Sequence, residues 1–358
     1  MPERSSKPVP SKQTVTVFSG GVGLGSYQAG AYEALHDVGL QPSWFAASSV
    51  GAVNAAIITG GPAQHAVERL REFWEEGSLP KLAVPAPWTG FDHLSHWATA
   101  IQARLFGVPG QFRPRLSMNP FAGFSSLYDL APMRSRIEKL VDFGYLNTEG
   151  VRVTVATTDI ETGDPVLFDT GQGDRIGIEH LMASCGYLPE FAPVEIDGRL
   201  LGDGGLSANA PIEPVLEDDD EISGAIFVVD LFARDGARPT GLEDALARRN
   251  DLFFGNQTFL RLRAYQRRHE RRDQFSSKAP PRNAKIADQG KSARAPIFYL
   301  SYRAPPDEPG SEKPFDFSRE SLRRRWEAGR LDMQEALRQL NDGDVRIGEL
   351  VAVRRLSR

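Results

Sequence analysis

Three short stretches carry residue types and spacings that could do chemistry. The first, FSGGVGLGSYQAG from Phe18 to Gly30, places Gly20, Gly21, Gly23 and Gly25 directly behind the strand-like run Thr14 to Phe18. Glycine gives up the most backbone freedom on folding, so a cluster of it at a strand end points to close approach of the main chain to something. A Walker loop would need a lysine after its last glycine, where Ser26 stands. A dinucleotide loop would need a third glycine where counting from Gly21 or Gly23 gives Ser26 or Gln28. A tight turn with no ligand is the bland alternative. The remaining use is an oxyanion hole, with the N–H groups of Gly21, Val22 and Gly23 facing an oxygen that becomes negative during the reaction.

Such a hole needs a nucleophile, and AASSVGAVNAA supplies one. Ser49 falls between the strand-like SWFAAS and a helix starting near Val50, the setting in which a sharp turn exposes a hydroxyl. Ala47 and Gly51 lie two residues either side of Ser49 and are small enough for a tight elbow. Ser48 is the neighbouring alternative, and helix capping by both serines is the plain one. A base must accompany the serine. Among the six histidines only His269 follows late enough for a Ser–acid–His order, and its surroundings, QRRHERRD, read as a solvated helix face. The better base is Asp203 in LLGDGGLSANAP, where Gly204 and Gly205 let another backbone come close; its plain reading is a hairpin turn. His93 and His96 have no cysteine nearby to complete a zinc set, and the acidic run Asp218 to Glu221 reads as solvated charge.

The elements that must position these residues alternate. Strands are expected at Thr14–Phe18, Ser43–Ser48, 151–160, 165–169, 192–201, 225–232 and 296–302. Helices are expected from Ser26, from Val50 to Gly60, over 64–77, 133–144, 242–275 and 318–340. Alternation of this kind predicts a mostly parallel sheet covered on both faces. Residues 80–128 have many prolines and aromatics and no clear period, which predicts an irregular cover over the site, with Trp88, Phe91, Trp97, Leu105, Phe106 and Phe112 facing an acyl chain, a membrane surface or the core. The organisation expected is a loose arm over 1–13, a catalytic unit over 14–235 and a helical or mixed extension over 236–358.

Bulk properties narrow the class. At 358 residues, 41% hydrophobic and 25% charged, the chain is that of a globular protein, and a formal charge of −5 gives no reason to expect nucleic acid as a partner. Cys185 is the single cysteine, which excludes an intramolecular disulfide and fits a reducing compartment. The first residues lack the apolar segment of a signal peptide, and no run approaches a membrane span, so a cytoplasmic protein is expected.

Taken together, SGGVGLGSYQAG, ASSVGAVNAA and GDGGLSANAP, in that order, resemble the patatin-like phospholipases over residues 14 to 214. VATTDIETG and ASCGYLPEFAPVEIDGRL add to the likeness, and FDFSRESLRRRWEAGRLDM resembles the C-terminal region of bacterial members. The resemblance implies a three-layer α/β/α sandwich, a Ser–Asp dyad at Ser49 and Asp203, and an oxyanion hole in the glycine loop. It implies no cofactor, a lipid or acyl-ester substrate and peripheral contact with membranes. A thioesterase or acyltransferase with the same dyad, or a lipid-binding protein of weak activity, are the alternatives. The loop departs from the common Gly-Gly-Gly-x-Arg/Lys-Gly at Val22 and Leu24. Leucine leaves the backbone donors in place, whereas a β-branched valine resists unusual backbone angles.

Overall fold

The run after Thr14 forms β1 (Val15–Phe18), and the chain passes through the glycine loop into α1 (Ser26–Asp37). It returns as β2 (Trp44–Ser48), then enters α2 (Val50–Thr59) and α3 (Ala66–Glu76). There follow α4 (Asp92–Phe106), the short pair β3 (Arg113–Pro114) and β4 (Tyr128–Asp129), α5 (Ala131–Leu140) and α6 (Phe143–Thr148). Next come β5 (Arg152–Asp159), β6 (Pro165–Asp169), α7 (Ile178–Ser184), β7 (Val194–Ile196) and β8 (Arg199–Asp203). The remainder holds α8 (Glu213–Glu217), β9 (Ile226–Asp230), α9 (Leu242–Lys278), β10 (Ile297–Ser301), α10 (Arg319–Asp342) and β11 (Leu350–Ala352). The computed structural model describes residues 13–80, 92–115, 126–218, 222–278, 295–305, 308, 310–342 and 350–353, and of 92–94 and 269–278 the backbone alone. The expected N-terminal arm, Trp88, Phe91, acidic residues 219–221 and residues 279–294 lie outside the described residues.

Among the described residues, nine strands form one sheet in the order β11-β10-β9-β1-β2-β5-β8-β7, with β6 also on β5. From β11 across to β5 every pairing is parallel; β6, β7 and β8 add antiparallel pairs beyond it. Parallel strands need crossovers, and the helices provide them on both faces. Alternate side chains define the two cores. Phe18, Phe45, Val155, Phe227 and Phe298 pack with Leu35, Ile57, Phe73, Ile137 and Met333 from α1, α2, α3, α5 and α10. Val17, Trp44, Ala46, Val228 and Ile297 pack the other way, with Val215, Leu262 and Tyr265 from α8 and α9. The result is the expected three-layer α/β/α sandwich. β10 and β11, from the stretch after residue 235, extend the same sheet.

One register detail positions the site. Ser48 at the end of β2 pairs with Ala156, and Asp203 at the end of β8 pairs with Thr157. Two strands remote in sequence therefore end at adjacent residues of β5, and whatever follows Ser48 meets Asp203.

The stretch 80–128 departs from the irregular structure expected of it, because α4 occupies Asp92–Phe106. Its period is hidden by an inverted face. Ser95, His96, Thr99, Ala100 and Ala103 are buried, while Trp97, Leu105 and Phe106 are exposed. A search for apolar residues at helical spacing sees the outer face and misses the buried one. Likewise, the stretch expected as one strand over 192–201 is a hairpin, β7 and β8, turning at Asp197 and Gly198 with φ of 51° and 74°. Asp218 is not simply solvated: its carboxylate lies 2.9 Å from Arg152.

The helices α1 and α10 cross in backbone contact. A Cβ on Gly30 would run into the carbonyl of Trp326, and one on Gly329 into that of Tyr27. No helix among the described residues is long and apolar enough to cross a membrane.

Candidate active site

Ser49 joins β2 to α2 with φ 55° and ψ −131°, angles that a non-glycine residue adopts only when its surroundings force them. Three contacts do so. The Ser49 N–H donates to Ser184 Oγ at 2.8 Å, and Ser184 Oγ donates to the Ala156 carbonyl at 2.7 Å, which ties the elbow to β5. Gly51 has no room for a side chain, since a Cβ there would lie 2.7 Å from the Ser19 carbonyl. The Ser49 hydroxyl makes no helix-capping bond, so the plain capping reading does not describe it. It lines a cavity of about 310 Å³. Ser48, by contrast, is fully buried outside that cavity, and Ala47 is core within β2.

Asp203 is 3% exposed and lines the same cavity. Its Oδ1 accepts the Gly205 N–H at 2.6 Å, and its main-chain carbonyl accepts the Thr158 hydroxyl at 2.8 Å. Burial pushes the carboxyl up to about 7, against the pull of hydrogen bonds from the Ser49 hydroxyl and the Gly205 N–H. No cation is among the groups acting on it. Gly204 is obligatory for the approach, because a Cβ there would lie 2.5 Å from both the Ala156 carbonyl and Ser48 Oγ. A Cβ on Gly205 would lie 2.9 Å from Asp203 Oδ1. Cys185 also lines the cavity, and burial pushes its thiol well above the usual range, with the Asp203 charge adding to the effect. A thiol so placed is a poor rival nucleophile.

The glycine loop folds over this pair. A Cβ on Gly20 would lie 2.8 Å from Ser49 Cβ, so the loop rests directly on the serine. Its N–H donates to the Asn209 carbonyl at 3.1 Å. Gln28 Nε2 donates to the Ser19 carbonyl at 2.8 Å, and Asn54 Nδ2 to that of Gly25 at 2.9 Å. Within the loop, Val22 to Gly25 form a 3-10 turn closed by Leu24 N–H to the Gly21 carbonyl at 3.1 Å. Val22 takes φ 52° despite its branched side chain. Gly21 and Val22 line the cavity, whereas Gly23 packs toward the Pro314 carbonyl and Phe317.

Among its other walls are Phe112, Met133, Phe191, Phe254 and Phe315, apolar side chains drawn from both halves of the chain. At its edge Arg104 pairs with Glu312 at 2.6 Å and Glu190 at 3.6 Å. No histidine is among the lining residues described. His96 lies 3.0 Å from Asp316 in a separate buried cluster, and the side chain of His269 lies outside the described residues, as does that of His93. Of the aromatics expected to cover the site, Phe112 is buried against it, while Trp97 and Phe106 face outward at 43% and 75% exposure. Ser184, Gln28 and Asn54 were not among the residues singled out from the sequence. They stand inside the quoted stretches FSGGVGLGSYQAG, AASSVGAVNAA and ASCGYLPEFAPVEIDGRL, as Asn209 does in GDGGLSANAP, but serine, glutamine and asparagine inside helices carry no local signal of a role.

The chain belongs to the patatin-like phospholipase family, whose model matches residues 16–216, and a second model, described as patatin phospholipase, matches residues 256–344. It is also similar to uncharacterized NTE family proteins of Mycobacterium tuberculosis and Mycobacterium bovis, 24% identical over 205 residues. That match takes in 57% of this chain and 46% of each relative, so the chain spans about half the length of the curated relatives it matches. Among solved structures it is similar to VipD from Legionella pneumophila, with a TM-score of 0.43 and 14% identity over 94% of this chain and 67% of that one. The family's chemistry is the hydrolysis of lipid carboxylic esters.

Proposed function

We propose that this protein is a serine acyl hydrolase that cleaves lipid-like carboxylic esters through Ser49 and Asp203. The observation that carries the proposal is the facing of a strained serine, at φ 55° on a cavity wall, and a buried carboxyl that lacks a cation and is pushed up to about 7. A carboxylate stabilised by a neighbouring cation would be too weak a base; one held near neutrality accepts a proton at the working pH.

Asp203 takes the Ser49 proton as Oγ bonds to the acyl carbon. The carbonyl π electrons move to oxygen, and the main-chain N–H groups at Gly21 and Val22, the two of the three expected donors that line the cavity, stabilise that oxyanion. Loss of one such donor costs about 2.7–4 kcal/mol in other serine hydrolases. Collapse of the intermediate breaks the ester C–O bond, and protonated Asp203 returns its proton to the leaving alkoxide. Water, deprotonated by Asp203, then attacks the acyl-enzyme and releases the acid, leaving Ser49 reprotonated. The aromatic wall around Phe112, Phe191 and Phe254 suits the acyl chain.

The test is turnover of p-nitrophenyl esters of graded chain length, together with phospholipid and lysophospholipid, alongside labelling by a fluorophosphonate. Labelling at Ser49, lost in Ser49→Ala, is the expected outcome. A folded wild type that neither labels nor turns over any ester would leave the lipid-binding alternative. Transfer products on adding a long-chain alcohol would move the reading to acyltransferase.

A further inference from the structure

Residues Gly20 to Ser26 carry no charge, yet the loop is gripped by a cation from the far end of the chain. Arg325, on α10, is fully buried, and its Nη1 donates to the Gly23 carbonyl at 3.2 Å. The same nitrogen donates to the Asp316 carbonyl at 2.9 Å, and Nη2 to the Lys313 carbonyl at 2.9 Å. Glu308 accepts the rest as a fork, Nε to Oε1 at 3.2 Å and Nη2 to Oε2 at 3.0 Å. A guanidinium has five N–H donors, and all five of these have acceptors. The Tyr302 hydroxyl completes the cluster with a 2.6 Å bond to Glu308 Oε1.

A stability role alone does not account for this arrangement. Buried ion pairs are commonly replaceable by apolar groups without loss of stability, because desolvation offsets their attraction. What the pair does supply is a fixed direction. Arg325 holds the Gly23 carbonyl, and the next N–H, that of Leu24, closes the turn onto the Gly21 carbonyl. A trans peptide is planar, with its C=O and N–H on opposite edges. Fixing the Gly21 carbonyl inside the turn therefore sends the Val22 N–H out of it, at a residue that lines the cavity beside Ser49. It also helps hold Val22 at φ 52°, an angle valine does not choose by itself.

We infer that Arg325 is a positioning residue for the oxyanion-hole loop, so that the segment carrying α10 completes the catalytic site of the unit that begins at β1. The inference rests on the acyl-hydrolase reading above. It deepens that reading by making a residue outside the Ser–Asp–glycine constellation responsible for the geometry of the hole.

The experiment compares full-length Arg325→Met, Arg325→Lys and Met333→Ala. Met333 is a fully buried residue of α10 that does not line the cavity, so its truncation loosens the helix and leaves the guanidinium in place. Hydrogen exchange of a peptide covering residues 18–30 and kcat and KM on a short p-nitrophenyl ester are the readouts. Arg325→Met is expected to speed loop exchange at least tenfold and lower kcat about thirtyfold with KM within twofold. Met333→Ala should lower the melting temperature yet keep kcat within threefold. If Arg325→Met is insoluble, folded Arg325→Lys decides. Its compact ammonium cannot serve all of these acceptors at once, so kcat should fall about tenfold with KM unchanged. The inference is overturned by unchanged loop exchange, by faster exchange with full kcat, by wild-type kcat in Arg325→Lys, or by a Met333→Ala loss equal to that of Arg325→Met. A wild type inert to every ester and to fluorophosphonate sinks the hydrolase reading and with it the catalytic half of this inference, while the exchange arm still decides whether Arg325 holds the loop.

Discussion

Ser49 stands against buried Asp203 and Ser321 against buried Asp316, and the surroundings drive the two carboxyls in opposite directions. At the cavity, Asp203 has Ser49 and one N–H for company, and burial lifts it to about 7. Behind α4, burial also tends to raise Asp316, but hydrogen bonds from His96, Ser321 and the Ser318 N–H, with the charge of Arg325, outweigh it and hold the group at about 2. Ser321 Oγ donates to Asp316 Oδ2 at 2.5 Å, and His96 Nδ1 is 3.0 Å from the same oxygen. By residue type, serine, histidine and aspartate, the second cluster is the better triad. It is nevertheless closed to substrate, since all of its members are fully buried, and its aspartate is saturated as an anion. Its work is to fasten α4 to the start of α10. Residue identity names candidates for catalysis; access, backbone strain and the direction of the pKa shift select among them.

The comparison breaks first on the serines. Ser49→Ala should lower kcat on the order of 10⁴- to 10⁶-fold, as nucleophile removal does elsewhere. Ser321→Ala should stay within a few-fold. The melting temperature of Ser49→Ala should not fall, because the change adds no volume at a strained turn. Comparable losses of activity in the two variants would erase the distinction.

The aspartates are next. Asp203→Asn should cost on the order of 10²- to 10⁴-fold in kcat/KM, the usual worth of a positioned base. The wild-type kcat/KM should rise with pH through a limb near 7, where Asp203 loses its proton. Stability should run the other way. A carboxyl raised in the folded state stabilises below its unfolded value, about 3.9, and that contribution is lost as pH climbs through the folded value. Asp203→Asn should thus gain in melting temperature over wild type above pH 7 and lose that advantage in acid. Asp316, held low, stabilises above the unfolded value and loses its contribution as pH falls toward 2. Asp316→Asn should therefore melt earlier at neutral pH, with the gap closing in acid. Melting curves across pH that move together for the two variants would contradict the opposed shifts.

The smallest effects on turnover belong to the aromatics of α4 and the segment after it. Phe112→Ala should cost about 3–5 kcal/mol of stability and weaken turnover of long-chain esters more than short ones. Phe106→Ala and Trp97→Ala should lie within about 0.5 kcal/mol of wild type and turn over soluble esters of any length normally. Any penalty confined to vesicle-presented substrate would assign their exposed face to a lipid surface; a loss on soluble long-chain esters would return them to the acyl channel.

Much of this was legible in local pattern. Apolar runs such as TVTVF and AIFVVDLF mark buried parallel strands because both of their faces are covered. Gly39, Gly60 and Gly61 stop helices where they should. Ser49 could be preferred to Ser48 from the small residues around it; at Gly51 it is the Ser19 and Phe18 carbonyls that leave no room for a Cβ. The helix α4 was not legible, because its buried face is made of Ser95, His96, Thr99 and alanines and its aromatics face out.

The amino-acid sequence by itself determined the α/β alternation, the family resemblance and the three stretches proposed to bear the site, since each motif rests on spacing within some ten residues. Only the tertiary structure decided what those stretches do to one another. The adjacent pairing of Ser48 and Asp203 on β5, the burial that raises Asp203 and the guanidinium that reaches Gly23 across 302 positions all depend on contacts between segments far apart in the chain. A pKa and a backbone angle are set by everything packed around a residue, and that packing is written in no local motif.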